Sequence, residues 1–209
     1  MKKIYIVRHG ETDTNELDVV SGEQGILSEK GIRQAQSLAK RFEEIDFSHI
    51  FTSDYKRAKE TASFIAKKNE KVLLDEPLLR ELTRPSEFLG KPRTSPEYLA
   101  FLDALDSNIN DPDWHFSDEE NFFDLIKRIN ELFVKLEKIE GDIVLVSHAR
   151  MVMTVTMYVL MGKQLTPEVW KAGMRNMVVL NTGITTIVYS EEKQIWKLEM
   201  FNDRAHFAD

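Results

Sequence analysis

The apolar positions of this chain fall into short unbroken runs that alternate with stripes of helical period. Ile4, Tyr5, Ile6 and Val7 follow one another within Lys2–Val7 before His9-Gly10 breaks the run, which predicts a buried strand of a parallel sheet. Beyond a polar, glycine-bearing loop, Ser28 stands where a cap belongs, and Gln34, Leu38, Ala39 and Phe42 mark one face of the helix it would start. His49–Thr52 reads as a second strand, Tyr55–Lys68 as a second helix and Val72–Leu74 as a third strand. Strands alternating with helices in this order predict an α/β fold built on a doubly wound, mostly parallel sheet.

Between Pro77 and Pro112 the pattern changes. Five of the six prolines (Pro77, Pro85, Pro92, Pro96 and Pro112) fall here, and proline opposes both helix interiors and central strands. Residues of about 77–115 are therefore expected to form an irregular insertion with one helix around Tyr98–Leu105. The insertion is too short for an independent core and is expected to lie as a cap over a single domain spanning 1–209. Helical period resumes at Phe122, Leu125, Ile126, Ile129, Phe133 and Leu136, with Ser117 and Glu120 as the expected capping box. Asp142–Val146 follows as a strand, then Ala149–Met161 as a helix apolar nearly all round; Met151, Met153, Met157 and Met161 within it read as core packing. Met177–Leu180, Ile184–Tyr189 and Ile195–Met200 predict closing strands, the first two joined by a turn at Thr182-Gly183. Their outermost member would be an edge that a homodimer could pair.

Composition narrows the chemistry. The 209 residues carry 28 Lys and Arg against 35 Asp and Glu, a net charge of −7, and no cysteine. The acidic balance argues against generic nucleic-acid binding. Without cysteine there is no disulfide framework, thiolate nucleophile or Cys-ligated metal. The apolar run ending at Arg8 is too short for a secretory signal, and no run reaches the roughly 20 residues of a membrane span. A cytoplasmic enzyme without a membrane partner is the expectation.

Three predicted strands end alike. The first runs into Arg8-His9-Gly10-Glu11-Thr12 and the second into Ser53-Asp54 with Arg57 just beyond. The strand before the methionine-rich helix runs into Ser147-His148-Ala149-Arg150. Ligands of open α/β sheets bind beyond the carboxyl ends of the strands, so these segments should meet at one edge, at helix N-termini that attract anions. Guanidiniums and imidazoles converging there suit a phosphoryl group, which Arg grips bidentately. They suit a metal ion poorly, because Arg8 would oppose a cation bound at His9.

Arg8-His9-Gly10-Glu11-Thr12 with Asn15, followed by Leu27 to Ala35, closely resembles the opening of the histidine phosphatase (phosphoglycerate mutase-like) superfamily. Ser53 to Ala62 is similar to its second motif, Ser147-His148 to its third, and Glu120-Asn121-Phe122 with Arg128 to a helix pattern common in it. The resemblance implies a three-layer α/β/α fold with a cap. It implies His9 as the nucleophile, Arg8, Arg57 and Asn15 as phosphate ligands, and His148 as a further phosphate contact that stabilises transferring charge. It implies Glu81 as the acid/base carboxylate. No metal or other cofactor is implied, and the partner would be a small phosphorylated substrate.

The chain departs from the family after Glu81, where Leu82-Thr83-Arg84-Pro85 replaces the familiar glycine- and tryptophan-bearing continuation; Glu87 is the fallback acid. Arg80, Arg84, Lys91 and Arg93 crowd this stretch, either as a solvated loop or as ligands for a second anionic group of the substrate. Ser21, Gly22, Arg84, Arg93 and Arg150 are accordingly candidate substrate-binding residues. Arg150 replaces a residue that is usually small, and would either enter the pocket or pair with a surface acid. His49, His115 and His206 read as structural. The favoured activity is phosphomonoester hydrolysis through a phosphohistidine. The alternatives are a phosphoglycerate-type mutase, a phosphoprotein phosphatase and a silent phospho-binding protein. Mutases of this family carry a Glu-Arg-His-Tyr-Gly-like segment and a longer basic insertion, which this chain lacks.

Overall fold

The computed structural model describes residues 1–13 and 17–207. A six-stranded sheet with the order β3-β2-β4-β1-β5-β6 forms its centre. Strands β1 (Lys2–Arg8), β2 (His49–Thr52), β3 (Leu73–Asp75) and β4 (Ile143–Ser147) run parallel. Strands β5 (Ile184–Ser190) and β6 (Ile195–Asp203) add an antiparallel hairpin on the far side of β1. The order places β1 between a parallel and an antiparallel neighbour.

Period-two alternation sends each strand's apolar residues to both faces. Ile4, Ile6, Ile143 and Leu145 pack on one face with α4 (Phe122–Glu137) and α5 (Ala149–Met161), through Leu125, Ile129, Leu132, Val152 and Val155. Val7, Ile50, Val144 and Val146 pack on the other with α1 (Glu29–Phe42) and α2 (Lys56–Lys68), through Leu38, Phe42, Ala62 and Ile65. The result is the three-layer α/β/α arrangement expected from the sequence. No helix among the described residues is long and apolar enough to cross a membrane.

The stretch between β3 and α4 holds two 3-10 turns, Pro77–Leu79 and Ser86–Phe88, and the helix α3 (Pro96–Ser107), which Ser95 caps. Phe88, Tyr98 and Phe101 form a small aromatic cluster that also takes in Val20 from the loop after β1. Backbone bonds from Val20 to Lys91 and from Gly90 to Val20 tie that loop to the insertion.

Two local expectations need correction, and one helix goes beyond what the pattern predicts. The box that starts α4 is Asn121 with Asp124, not Ser117 with Glu120. Glu120 is engaged by Arg128 at 2.8 Å and by the Thr83 N–H at 3.0 Å, so it cannot reach back to a cap. Met177–Leu180 is not a strand: its Leu180 N–H and Val178 carbonyl bond to the Asn202 side chain instead of a ladder. Just before it lies a helix the hydrophobic pattern did not reveal, α6 (Pro167–Asn176), capped by Thr166 with proline in its first turn.

Gly31, in the first turn of α1, lets the helix approach the loop that follows β1. A Cβ at Gly31 would lie 2.1 Å from the Glu11 carbonyl oxygen, a backbone atom with nowhere to go. Helix propensity favours alanine over glycine by about 1 kcal/mol. Overpacking against rigid backbone costs roughly 1–3 kcal/mol. Gly31→Ala is therefore expected to lower stability despite its better propensity, read as a lower urea midpoint with unchanged slope. An unchanged or raised midpoint would refute the close approach.

Candidate active site

Parallel pairing puts the three strand ends side by side. Arg8 is in register with Ser147 and Thr52 with Val146, so His9, Ser53 and His148 emerge together. The His9 N–H continues the ladder to the Ser147 carbonyl at 2.9 Å, as the Ser53 N–H does to Val146 at 2.9 Å. Asn181 Nδ2 holds the His9 carbonyl at 2.9 Å, and Thr61 Oγ1 accepts from the Gly10 N–H at 3.0 Å. The nucleophile candidate is thus fixed from three sides.

Hydrogen bonds define its tautomer. His9 Nδ1 lies 2.6 Å from the Gly10 carbonyl, which can only accept, so Nδ1 carries the proton. The Arg57 Nε–H lies 3.1 Å from Nε2 and can only donate, so Nε2 presents a lone pair. Burial, then the charges of Arg57 and Arg8, push the His9 pKa well below its ordinary value. Ring, lone pair and protonation state together describe a neutral nitrogen nucleophile.

His148 is wholly buried beside it, with the two ring centroids 5.1 Å apart. Its Nε2 is 2.8 Å from Ser53 Oγ, and its Nδ1 is buried without a partner. Burial, then the neighbouring His9 and Arg57, hold its pKa well below the ordinary value too. Arg57 is 3% exposed and gives a further N–H to the Gly22 carbonyl at 2.6 Å. Arg8 donates to the Val179 carbonyl at 2.6 Å, while its Nε is buried and unpartnered. Neither arginine makes an ion pair among the described residues. The segment expected as a strand at 177–180 therefore has another use: it aims Arg8.

A cavity of about 540 Å³ opens here, lined by Arg8, His9, Arg57, Glu81 and, among others, Ser21, Gly22, Arg84, Arg93 and Arg150. Glu81 Oε1 accepts from the Leu82 N–H at 2.9 Å and Oε2 from the Arg150 N–H, in the first turn of α5, at 3.4 Å. Glu87, the fallback acid, is exposed and does not line the cavity, because it sits in the 3-10 turn Ser86–Phe88 facing outward. Arg80 is likewise turned away, bound through two nitrogens to Asp54 at 2.7 and 2.5 Å. Asn15 lies outside the described residues. Arg150 lines the pocket and, among the described residues, pairs with no acid. Among the described residues, no three or more His, Asp or Glu side chains are grouped to hold a metal ion.

Sequence reasoning missed several supports. Arg128, marked by the sequence only as part of a helix pattern, donates to the carbonyls of Leu78 and Arg80 at 3.0 and 2.7 Å, anchoring the segment beyond β3 that leads to Glu81. Asn181 bears no pattern that marks it, since its use depends on a loop from the far end of the chain. Tyr55 packs its ring against His148 at 5.1 Å and lies under the Arg57 guanidinium at 5.2 Å; its place inside the second motif, between Asp54 and Lys56, is the signal that marks it.

Comparison with known proteins follows the same lines. A family model described as histidine phosphatase superfamily (branch 1) matches residues 4–204. A curated relative from Proteus mirabilis, "Probable phosphoglycerate mutase GpmB", is 39% identical over 83 residues, which cover 39% of this chain and 39% of that protein. A phosphoserine phosphatase from Entamoeba histolytica solved with phosphoserine is 25% identical, with a TM-score of 0.78 over 99% of this chain and 100% of that one. A mycobacterial glucosyl-3-phosphoglycerate phosphatase solved with inorganic phosphate is 23% identical and shares the fold, with a TM-score of 0.79 over the whole of both chains.

Buried neutral imidazoles tie stability to pH. Unfolded histidine takes up a proton near pH 6.5, while folded His9 and His148 do so only well below that. The unfolded chain therefore binds more protons as pH falls through 6.5. Stability is full above that pH and declines below it, by at most ~1.4 kcal/mol per pH unit for each ring. Urea unfolding at pH 7.5 and 5.5 should show the loss, and ¹⁵N NMR at pH 6 should show His9 neutral with the proton on Nδ1. A His9 signal half-titrated at pH 6.5 would contradict the assignment.

Proposed function

The chain belongs to the histidine phosphatase superfamily, branch 1, and we propose that within it this protein hydrolyses small phosphomonoesters through a phosphohistidine on His9, without a metal ion. The observation that carries the reading is the unprotonated Nε2 of His9, held by Arg57 at 3.1 Å and opening on a cavity lined by Arg8, Arg57 and Glu81. The named phosphatases of the same fold support it.

In the first step the Nε2 lone pair attacks phosphorus, the N–P bond forms, and the P–O bond to the leaving group breaks. Glu81 in its acid form gives its proton to the departing alkoxide oxygen. The ring gains positive charge, which the Nδ1–H bond to the Gly10 carbonyl accommodates. Arg8 and Arg57 stabilise the phosphoryl oxygens as charge shifts onto them, with the His148 ring 5.1 Å from that of His9 as the further polar neighbour. In the second step water attacks phosphorus and its proton passes to the Glu81 carboxylate. The N–P bond breaks, and the electron pair returns to Nε2. The guanidiniums supply the positive charge that Mg²⁺ supplies in many phosphoryl-transfer enzymes.

The mutase reading has one observation in its favour, the name of the curated relatives. It requires the phosphoenzyme to return its phosphoryl group to another hydroxyl and to exclude water. ³¹P NMR separates the two readings: hydrolysis releases inorganic phosphate from 3-phosphoglycerate, whereas a mutase converts it to the 2-isomer with little release.

Three variants or conditions test the mechanism together. His9→Ala should reduce turnover to background. Glu81→Gln should slow alkyl phosphates by about 10²–10⁴-fold and p-nitrophenyl phosphate far less, because nitrophenolate leaves without a proton. EDTA should leave the rate unchanged. Full activity without His9, equal effects of Glu81→Gln on both leaving groups, or EDTA inhibition reversed by one divalent cation would each defeat the proposal.

A further inference from the structure

Guanidiniums enter the cavity in two groups. Arg8 and Arg57 flank His9, while Arg84 and Arg93 come from the insertion and Arg150 from the first turn of α5. This second group serves no step of the mechanism above. Its members are near enough to repel one another: after burial, the charge of Arg150 is the next cause that lowers the pKa of Arg84, to about 9, and that of Arg93. Arg84 nevertheless stays cationic at neutral pH.

Of the carboxylates that line the cavity, only Asp18 pairs with a member of the group among the described residues; Glu23 makes no ion pair there. Asp18 takes Arg93 at 3.5 Å from a side chain that is 70% exposed. Glu81 accepts the backbone N–H groups of Leu82 and Arg150, and Asp118 accepts that of Ser86 at 2.8 Å. Arg84 and Arg150 make no ion pair among the described residues, and Arg84 Nε is buried with no acceptor. The Arg84 guanidinium is located by an aromatic face, 5.8 Å from the centre of the fully buried Phe101 ring. Stacking of this kind directs an arginine without consuming its N–H donors. Burying a cation without a counterion opposes folding, so donors kept unpaired beside the reaction centre are reserved for a ligand.

We propose that Arg84 and Arg150, with Arg93 beside them, form a second anion subsite, and that the substrate is a phosphomonoester bearing another anionic group, carboxylate or phosphate, apart from the phosphoryl group delivered to His9. The proposal rests on the reading of His9 as phosphoryl acceptor and adds the substrate class to it. Of the candidates Arg84, Arg93 and Arg150 that the sequence offered, it gives the leading part to Arg84 and Arg150, which make no ion pair among the described residues.

The test uses phosphate monoesters of three and six carbons whose far end is a hydroxyl, a carboxylate or a second phosphate. For the intact protein, kcat/KM for the better anion-ended ester should exceed that of its hydroxyl-ended match by at least about tenfold, as expected for a charge-assisted hydrogen bond. The carboxylate and phosphate arms identify which anion fits. Arg84→Met and Arg150→Met should each collapse that ratio, chiefly through KM. Calorimetric affinities of the same esters for the His9→Ala chain should show the same preference, so the subsite is decided even if no ester is turned over, an outcome that would defeat the hydrolase reading alone. No preference at either length in rate or affinity, or equal losses on all three ester types in both arginine variants, would overturn the subsite.

Discussion

Positive charge buried without a matching carboxylate shapes this molecule. Arg57 is 3% exposed and points a guanidinium N–H at an uncharged imidazole. Arg8 spends one nitrogen on a backbone carbonyl and keeps Nε unpartnered. Leaving such groups without counterions costs several kcal/mol apiece, in a chain whose net charge is −7 and which has acids to spare. The acids are placed elsewhere: Asp54 on Arg80, Glu120 on Arg128, Glu76 on Lys135. The same uncompensated field holds His9 neutral, so on the proposed reading one arrangement both prepares the nucleophile and favours an anionic target.

The fold tolerates this cost because the site is bound into its most rigid part. His9 and His148 follow adjacent parallel strands, β4 buried throughout and β1 alternating buried and half-buried residues, and the ladder extends past the strand ends to the His9 N–H. Rings and guanidiniums are then located by carbonyls, hydroxyls and aromatic faces, none of which neutralise charge. Substrate-facing residues sit differently. Arg84 and Arg93 belong to a proline-rich insertion with its own aromatic cluster, joined to the sheet through Val20 and the loop that carries Ser21 and Gly22. On the proposed reading, phosphoryl chemistry would rest on the strand ends, and choice of substrate on the insertion together with Arg150 of α5.

Much of this could be read from the sequence because strands and motif residues are local signals. The run before His9, the stripe of α1 and the apolar β4 each declare themselves, and the switch in strand order brings their ends together. The residues that escaped are those whose meaning is tertiary. Asn181 and Val179 act on His9 and Arg8 from about 170 residues away. Arg128 works by holding carbonyls of a segment some 50 positions earlier. The α4 cap was misplaced because Glu120 satisfied a local template while a distant arginine claimed its side chain. Arg150 had two readings until packing showed it in the cavity.

Everything in the proposed chemistry turns on Nε2 of His9 accepting the phosphoryl group. The most direct measurement is to mix the Glu81→Gln chain with p-nitrophenyl phosphate, quench with base within milliseconds, and locate the phosphoryl adduct by peptide mass spectrometry and ³¹P NMR. Loss of the Glu81 carboxylate slows attack by water more than departure of nitrophenolate, so the intermediate should accumulate. One phosphoryl group per chain is expected, on Nε2 of His9. An adduct on any other residue, or continued turnover with no adduct at His9, would contradict it.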